Sequence, residues 1–288
     1  MLKSVRELIE KVNTTNKSIS TLMIEQEISA LSKTASEVVE AMAKNYAVMK
    51  RAVHEGIQGV TTHSGMCGHD ARRLWDYINK GVFITDTTML KAACYAIATN
   101  EVNASMGVIC ATPTAGSSGI LPGVMVALQE KYGFPDEAIV DKLFVAGAFG
   151  FIIANNAFIS GAAGGCQAEI GSASAMTAAA VVALLGGTAE QSANAMAMAM
   201  KNMLGLTCDP LAGLVEVPCI KRNASGAVNA LLTAELALAG IETKVPWDEV
   251  IAAMYATGKN MPASLRETAL GGLAVTPTGL KWKKKLWS

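Results

Sequence analysis

Apolar residues recur with a helical period along most of this chain. In "SVRELIEKV" they fall at positions 5, 8, 9 and 12, one stripe of a helix. "SISTLMIEQEISAL" and "SEVVEAMAKNYAVMKRAVHEGI" continue the pattern, with Ser36 a candidate N-cap and Gly56 and Gly59 ending the run. "ARRLWDYINKG" predicts a further helix closed by Gly81. Three more are expected around 137–159, 172–186 and 189–204, and the closing portion adds "AVNALLTAELALAGI" and "PWDEVIAAMYATGKNM". Only "GLVEVPCI" at 213–220 carries the β-branched alternation of a strand. Two loops break the apolar context. They are "TTHSGMCGHD" at 61–70 and "ATPTAGSSGILPG" at 111–123, of the kind where function concentrates. No repeat or linker is visible. The expectation is an all-α chain forming one large helical domain over residues 1–288, with N-terminal helices at 1–60 and a chemistry-bearing core at 61–280.

Composition narrows the setting. The formal net charge is zero, which offers no electrostatic case for nucleic acid or an acidic membrane as partner. The basic run "KWKKKLW" at 281–287 reads as a solvated end rather than a tether. Mean hydropathy of +0.33 and charge-free runs at 102–129, 143–168 and 170–189 raise the question of a membrane. Polar residues and glycines interrupt those runs, and their apolar content is mostly alanine. Buried helices of a soluble protein fit better than spans. The N-terminus is charged and amphipathic, unlike a signal peptide, so a reducing cytoplasmic setting is expected. Cysteines there are more often ligands or nucleophiles than disulfide halves.

Of six cysteines, Cys166, Cys208 and Cys219 stand in segments of small and apolar residues, "GGCQAEIG" and "CDPLAGLVEVPC". Their spacing, C-x41-C-x10-C, matches neither paired zinc ligands nor ferredoxin runs. The residues alone leave them open as buried core thiols or as ligands. Gly164 and Gly165 suggest room for a bulky inorganic group, and Asp209-Pro210 suggests that Cys208 lies at a helix terminus. Three thiolates without a fourth ligand would leave one iron of a cubane open, a Lewis acid. Cys94 and Cys110 have no ligand context and read as structural.

Longer segments carry a resemblance. "NEVNASMGVICATPTAGSSGILPG", "NNAFISGAAGGCQAEIGSASAM", "KNMLGLTCDPLAGLVEVPCIKRNASGAVNA" and "RETALGGLA" resemble the α chain of bacterial iron–sulfur-dependent L-serine dehydratases, over about residues 5–279. The resemblance implies a [4Fe–4S] cluster on Cys166, Cys208 and Cys219 with one iron open to substrate. It also implies an all-helical catalytic domain, a separate β chain as partner, and conversion of L-serine to pyruvate and ammonia. No lysine and phosphate-loop pair suggests pyridoxal phosphate. Where the family pattern reads Ser-Gly-Leu-Thr-Gly-Gly-Asp, this chain has Ser64-Gly65-Met66-Cys67-Gly68-His69-Asp70, which puts the substrate in question. In one branch a C-terminal cysteine reaches the open iron; here the chain ends "KKKLWS". Two other readings stand beside this one: a related lyase acting on cysteine or threonine, and a non-catalytic helical assembly partner.

Residue roles follow. In the "TPTAGSSG" loop, Thr114, Gly116, Ser117 and Ser118 are expected to hold the substrate carboxylate, with Lys221 as a further contact. His63 is the acid/base candidate. Asp70 is expected to cap the helix after it, and Glu169, a turn beyond Cys166, to need Lys221 or Arg222 as partner. Arg266 and Glu267 are expected nearby.

Overall fold

The computed structural model describes residues 2–288, and among them it contains thirteen α-helices and no strand. Three amphipathic helices come first: α1 (Val5–Thr15), α2 (Ile19–Leu31) and α3 (Ala35–Gly56). Each starts on a hydroxyl N-cap, Ser4, Ser18 and Thr34, whose oxygen accepts an otherwise orphaned backbone N–H. Ser36 is therefore not the cap of α3. Thr34 takes the role because Glu37 stands three residues on and completes a capping box.

The helices that follow are α4 (Asp70–Asn79), α5 (Thr87–Ala104), α6 (Ile120–Tyr132), α7 (Asp136–Asn156), the single turn α8 (Gly161–Gly164), α9 (Ser172–Leu184), α10 (Ala189–Lys201), α11 (Cys219–Leu238), α12 (Trp247–Asn260) and α13 (Pro277–Trp287). Helix α9 is the hub, packed on α7, α10 and α11, while α5 packs on α6, α11, α3 and α4. Twelve of the thirteen α9 residues are buried, which explains why its sequence, SASAMTAAAVVAL, shows no polar face. Small side chains let backbones approach. A Cβ on Gly119 would sit 2.1 Å from the carbonyl oxygen of Ala96, so α6 can start against α5 only with glycine there. One contiguous apolar core runs from α1 to α12. Among the described residues no helix is long and apolar enough to cross a membrane.

The expected strand at 213–220 does not form. Pro218 follows a cis peptide bond and α11 begins at Cys219, so the segment turns instead of pairing. The sole β contact among the described residues is a parallel bridge between Cys208 and Arg266. Cys208 thus lies seven residues past the end of α10, not at a helix terminus. The lysines of the C-terminal run are carried on α13, and Trp287 donates its indole N–H to the Ala212 carbonyl at 3.0 Å.

Candidate functional site

Three chain segments deliver three thiols to one buried place. Cys166 stands where α8 gives way to a π-helical turn, Gln167–Gly171, that runs into α9. Cys208 is held by its backbone, donating to Leu265 O at 2.8 Å and accepting from Glu267 N at 2.7 Å. Cys219 opens α11 directly after the turn at Pro218. All three are at most 4% exposed, and the thiols of Cys208 and Cys219 both lie against that of Cys166. The neighbouring thiols, aided by Arg222, hold the Cys166 thiol well below the usual range, and the same proximity together with burial pushes Cys208 and Cys219 up.

Arg222 meets this charge. Its Nη1 lies 3.5 Å from Cys166 Sγ and donates to Thr207 O at 2.7 Å, and its Nη2 is 2.9 Å from Asp209 Oδ1. Asp209 is locked from the other side by Leu273 N–H at 2.8 Å. The guanidinium is thereby aimed rather than solvated.

Glu169 is the fourth member. One oxygen of it and the sulfurs of Cys166 and Cys208 all lie within 4.8 Å of one another, a group whose composition suits a metal. The carboxyl is pushed up to about 7, chiefly by burial and against the hydrogen bond from Thr114. Neither expected cation partners it. Lys221 is half exposed and ion-pairs with Asp70, while Arg222 faces Asp209 and Cys166. Thr114 Oγ1 donates to Glu169 Oε1 at 2.7 Å instead.

That bond joins the thiol group to the "TPTAGSSG" loop. Ser117 and Ser118 are fully buried, and the Ser117 hydroxyl donates to Thr112 O at 3.1 Å. Asn100 donates to the carbonyls of Ala115 and Gly116, and Asn223 donates to Gly116 O and accepts from Gly119 N. These two asparagines are absent from the sequence-based expectation. Their one signal there is a polar residue on an otherwise apolar helix face.

Glycine placement also differs from expectation. The space at Gly164 and Gly165 is filled by Phe158 and Met261, and Gly165 is needed for its φ of 77°. Gly161 faces the Cys208 thiol and two carboxylates instead, since a Cβ there would lie 2.8 Å from both Cys208 Sγ and Glu169 Oε2, and 3.1 Å from Glu267 Oε2. Glu267 (φ 62°) and Ala269 (φ 54°) hold left-handed backbone beside it, a strain of about 1–2 kcal/mol each for non-glycine residues.

The 61–70 loop is anchored separately. Glu101, fully buried on α5, accepts the N–H groups of Gly68 (2.7 Å), Asp70 (3.0 Å) and Ala71 (3.2 Å). Asp70 is therefore not the cap of α4; it is the first helical residue, paired with Arg73 and Lys221. Cys67 turns its thiol to Glu216 Oε2 at 2.8 Å, where Ser64 Oγ also donates at 2.6 Å. The ring of His69 lies over Gly59. His63 is exposed on this loop. Cys94 is buried and donates to Ala71 O at 3.3 Å; Cys110 is half-buried.

Fold and site together define an all-helical protein that gathers thiols and a carboxylate of metal-ligating type in its interior, next to a serine- and glycine-rich loop. Comparison with known sequences gives this class its family. The profile described as "Serine dehydratase alpha chain" matches residues 14–274, and the chain belongs to that family. It is 55% identical over 287 residues to "Probable L-serine dehydratase, alpha chain" of Bacillus subtilis, covering 100% of this chain and 96% of that protein. It is 45% identical over 285 residues to "L-serine dehydratase, alpha chain" of Peptoniphilus asaccharolyticus, covering 99% and 98%. "L-serine dehydratase 1" of Escherichia coli matches at 36% over 294 residues, which is 95% of this chain but 61% of that longer protein.

Proposed function

We propose that this chain is the catalytic α chain of an L-serine dehydratase, releasing pyruvate and ammonia. On this reading Cys166, Cys208 and Cys219 hold a [4Fe–4S] cluster, and a separate β chain assembles with it. The observation that carries the proposal is the meeting of three buried thiols with the 112–118 loop through the Thr114–Glu169 bond, in a chain of this family. The donor set fits the cluster, because thiolates are its usual ligands and a nearby guanidinium offsets their charge. When bound, the cluster supplies a Lewis acid for the departing hydroxyl.

The chain's own residues do the rest. The loop carrying Thr114, Gly116, Ser117 and Ser118 receives the substrate carboxylate, its shape set by Asn100 and Asn223. Lys221, ion-paired with Asp70, is assigned as a further contact for the same carboxylate. His63, exposed on the 61–70 loop, is assigned the Cα proton. Loss of that proton and of the β-hydroxyl leaves aminoacrylate, which tautomerises and takes up water to give pyruvate and ammonia. Residues 61–280 thus carry the chemistry, and the helices before residue 60 buttress them. The names of the full-length relatives, which call them alpha chains, support a separate partner chain.

The test is anaerobic purification of the chain with and without its β chain. Iron content, visible absorbance and pyruvate formation are then followed with serine, threonine and cysteine. Iron binding with serine-dependent pyruvate is expected. A protein that stays iron-free after reconstitution sinks the cluster assignment, and preference for threonine or cysteine replaces serine as substrate.

A further inference from the structure

On the cluster reading the three cysteines would supply three of its ligands, and Glu169 is a further ligand-type group beside them. One oxygen of it lies within 4.8 Å of the sulfurs of both Cys166 and Cys208. Its two oxygens have separate surroundings. Oε1 takes the Thr114 hydroxyl at 2.7 Å. Oε2 faces Gly161, at the point where a Cβ would touch it and Cys208 Sγ alike, each at 2.8 Å. Among the described residues no lysine or arginine ion-pairs with this carboxylate, because the two expected candidates are taken by Asp70 and Asp209. A buried carboxylate without a cation is costly, and coordination to a metal is one of the few ways to compensate it.

We propose that Glu169 Oε2 is the fourth protein ligand of the metal group, closing its open corner while substrate is absent. This rests on the cluster reading above. Substrate entering the 112–118 loop meets Thr114, the residue that holds the other oxygen of the same carboxylate. Binding at the loop and release of the corner are therefore coupled through one side chain. The exchange is of ligands only: one metal–carboxylate oxygen bond breaks as one metal–substrate oxygen bond forms, with no change of oxidation state.

The full chain is reconstituted anaerobically with ⁵⁷Fe, as wild type and as Glu169→Gln, and studied by Mössbauer spectroscopy without substrate. The expected wild-type spectrum has one iron distinct from its neighbours, and Glu169→Gln changes that iron alone. Under controlled oxidation, the variant should lose this iron about 10–100-fold faster, seen as growth of the three-iron electron paramagnetic resonance signal. Identical spectra and identical rates in the two proteins overturn the inference while leaving the cluster intact. A wild type that takes up no iron fails at the cluster reading itself, and the ligand assignment goes with it. If Glu169→Gln does not take up iron, Thr114→Val loosens the same carboxylate without replacing it. Faster iron loss in that variant supports the assignment, and an unchanged rate overturns it.

Discussion

Glu101→Gln tests whether a single buried carboxylate organises the 61–70 loop. The wild-type side chain is 0% exposed and accepts three backbone N–H groups, two on Oε1 and one on Oε2. Two of the donors, Asp70 and Ala71, are the first residues of α4, whose N-cap position, His69, makes no side-chain cap. Glutamine preserves the shape and can keep the Gly68 and Asp70 bonds on its oxygen, but it sets an NH₂ group against the Ala71 N–H. The loss is one charge-assisted hydrogen bond, about 1.5–3 kcal/mol, and one orphaned buried donor, about 1–3 kcal/mol. Removing a negative charge from a helix N-terminus adds about 0.3–2 kcal/mol. The combined cost should be about 3–8 kcal/mol, a large part of the roughly 5–15 kcal/mol typical of a folded domain. Equilibrium urea unfolding under reducing conditions measures it. Trp75 on α4, stacked at 5.9 Å from Tyr95, reports the local change by fluorescence. A loss below about 1 kcal/mol, with Trp75 emission unchanged, would refute the claim that Glu101 caps α4 from across the helix pair.

Further outcomes follow from other contacts. Arg222→Gln leaves Asp209, whose side chain is 6% exposed, buried without its cation, and should cost about 3–5 kcal/mol in urea unfolding. Adding Asp209→Asn should recover part of that loss, and strict additivity of the two changes would argue against the pair. Gly119→Ala drives a methyl into the Ala96 carbonyl and should destabilise by about 1–3 kcal/mol or more, read as a lower melting temperature. In the metal-free chain Glu169 is raised from 4.5 to about 7 by burial, so the folded state keeps a proton that the unfolded state has released. Its contribution to stability is full below about pH 4.5 and is lost as pH rises through about 7. Glu169→Gln should flatten that part of the stability–pH curve, and an unchanged slope would remove Glu169 as its source.

The helices are readable in the sequence because their signals are local. A period of apolar residues, a hydroxyl cap and a terminating glycine act within one or two turns, so α1 to α4, α7, α9, α10 and α12 fall close to their expected spans, while α11 starts at Cys219, eight residues before the expected 227. Alanine-rich composition likewise separates buried helices from membrane spans. The segment 213–220 misleads because β-branched alternation is also compatible with an irregular turn, and a proline with a helix start behind it overrides the pattern.

The chemistry-bearing residue types are also local. Three cysteines in small-residue surroundings, a Ser/Gly/Thr loop and a carboxylate one turn from a thiol stand out in the order of residues alone. What pairs with what is not local. Only packing decides that Arg222 serves Cys166 and Asp209, that Lys221 is tied to Asp70, and that Glu169 receives a neutral hydroxyl in place of a cation. It likewise chooses Gly161 over Gly164 and Gly165 as the glycine facing Cys208 and Glu169. Sequence carries propensity and periodicity along a few residues. The partner of a buried charge is set by which side chains from distant segments arrive within about 3 Å, where burial makes every unpaired group costly.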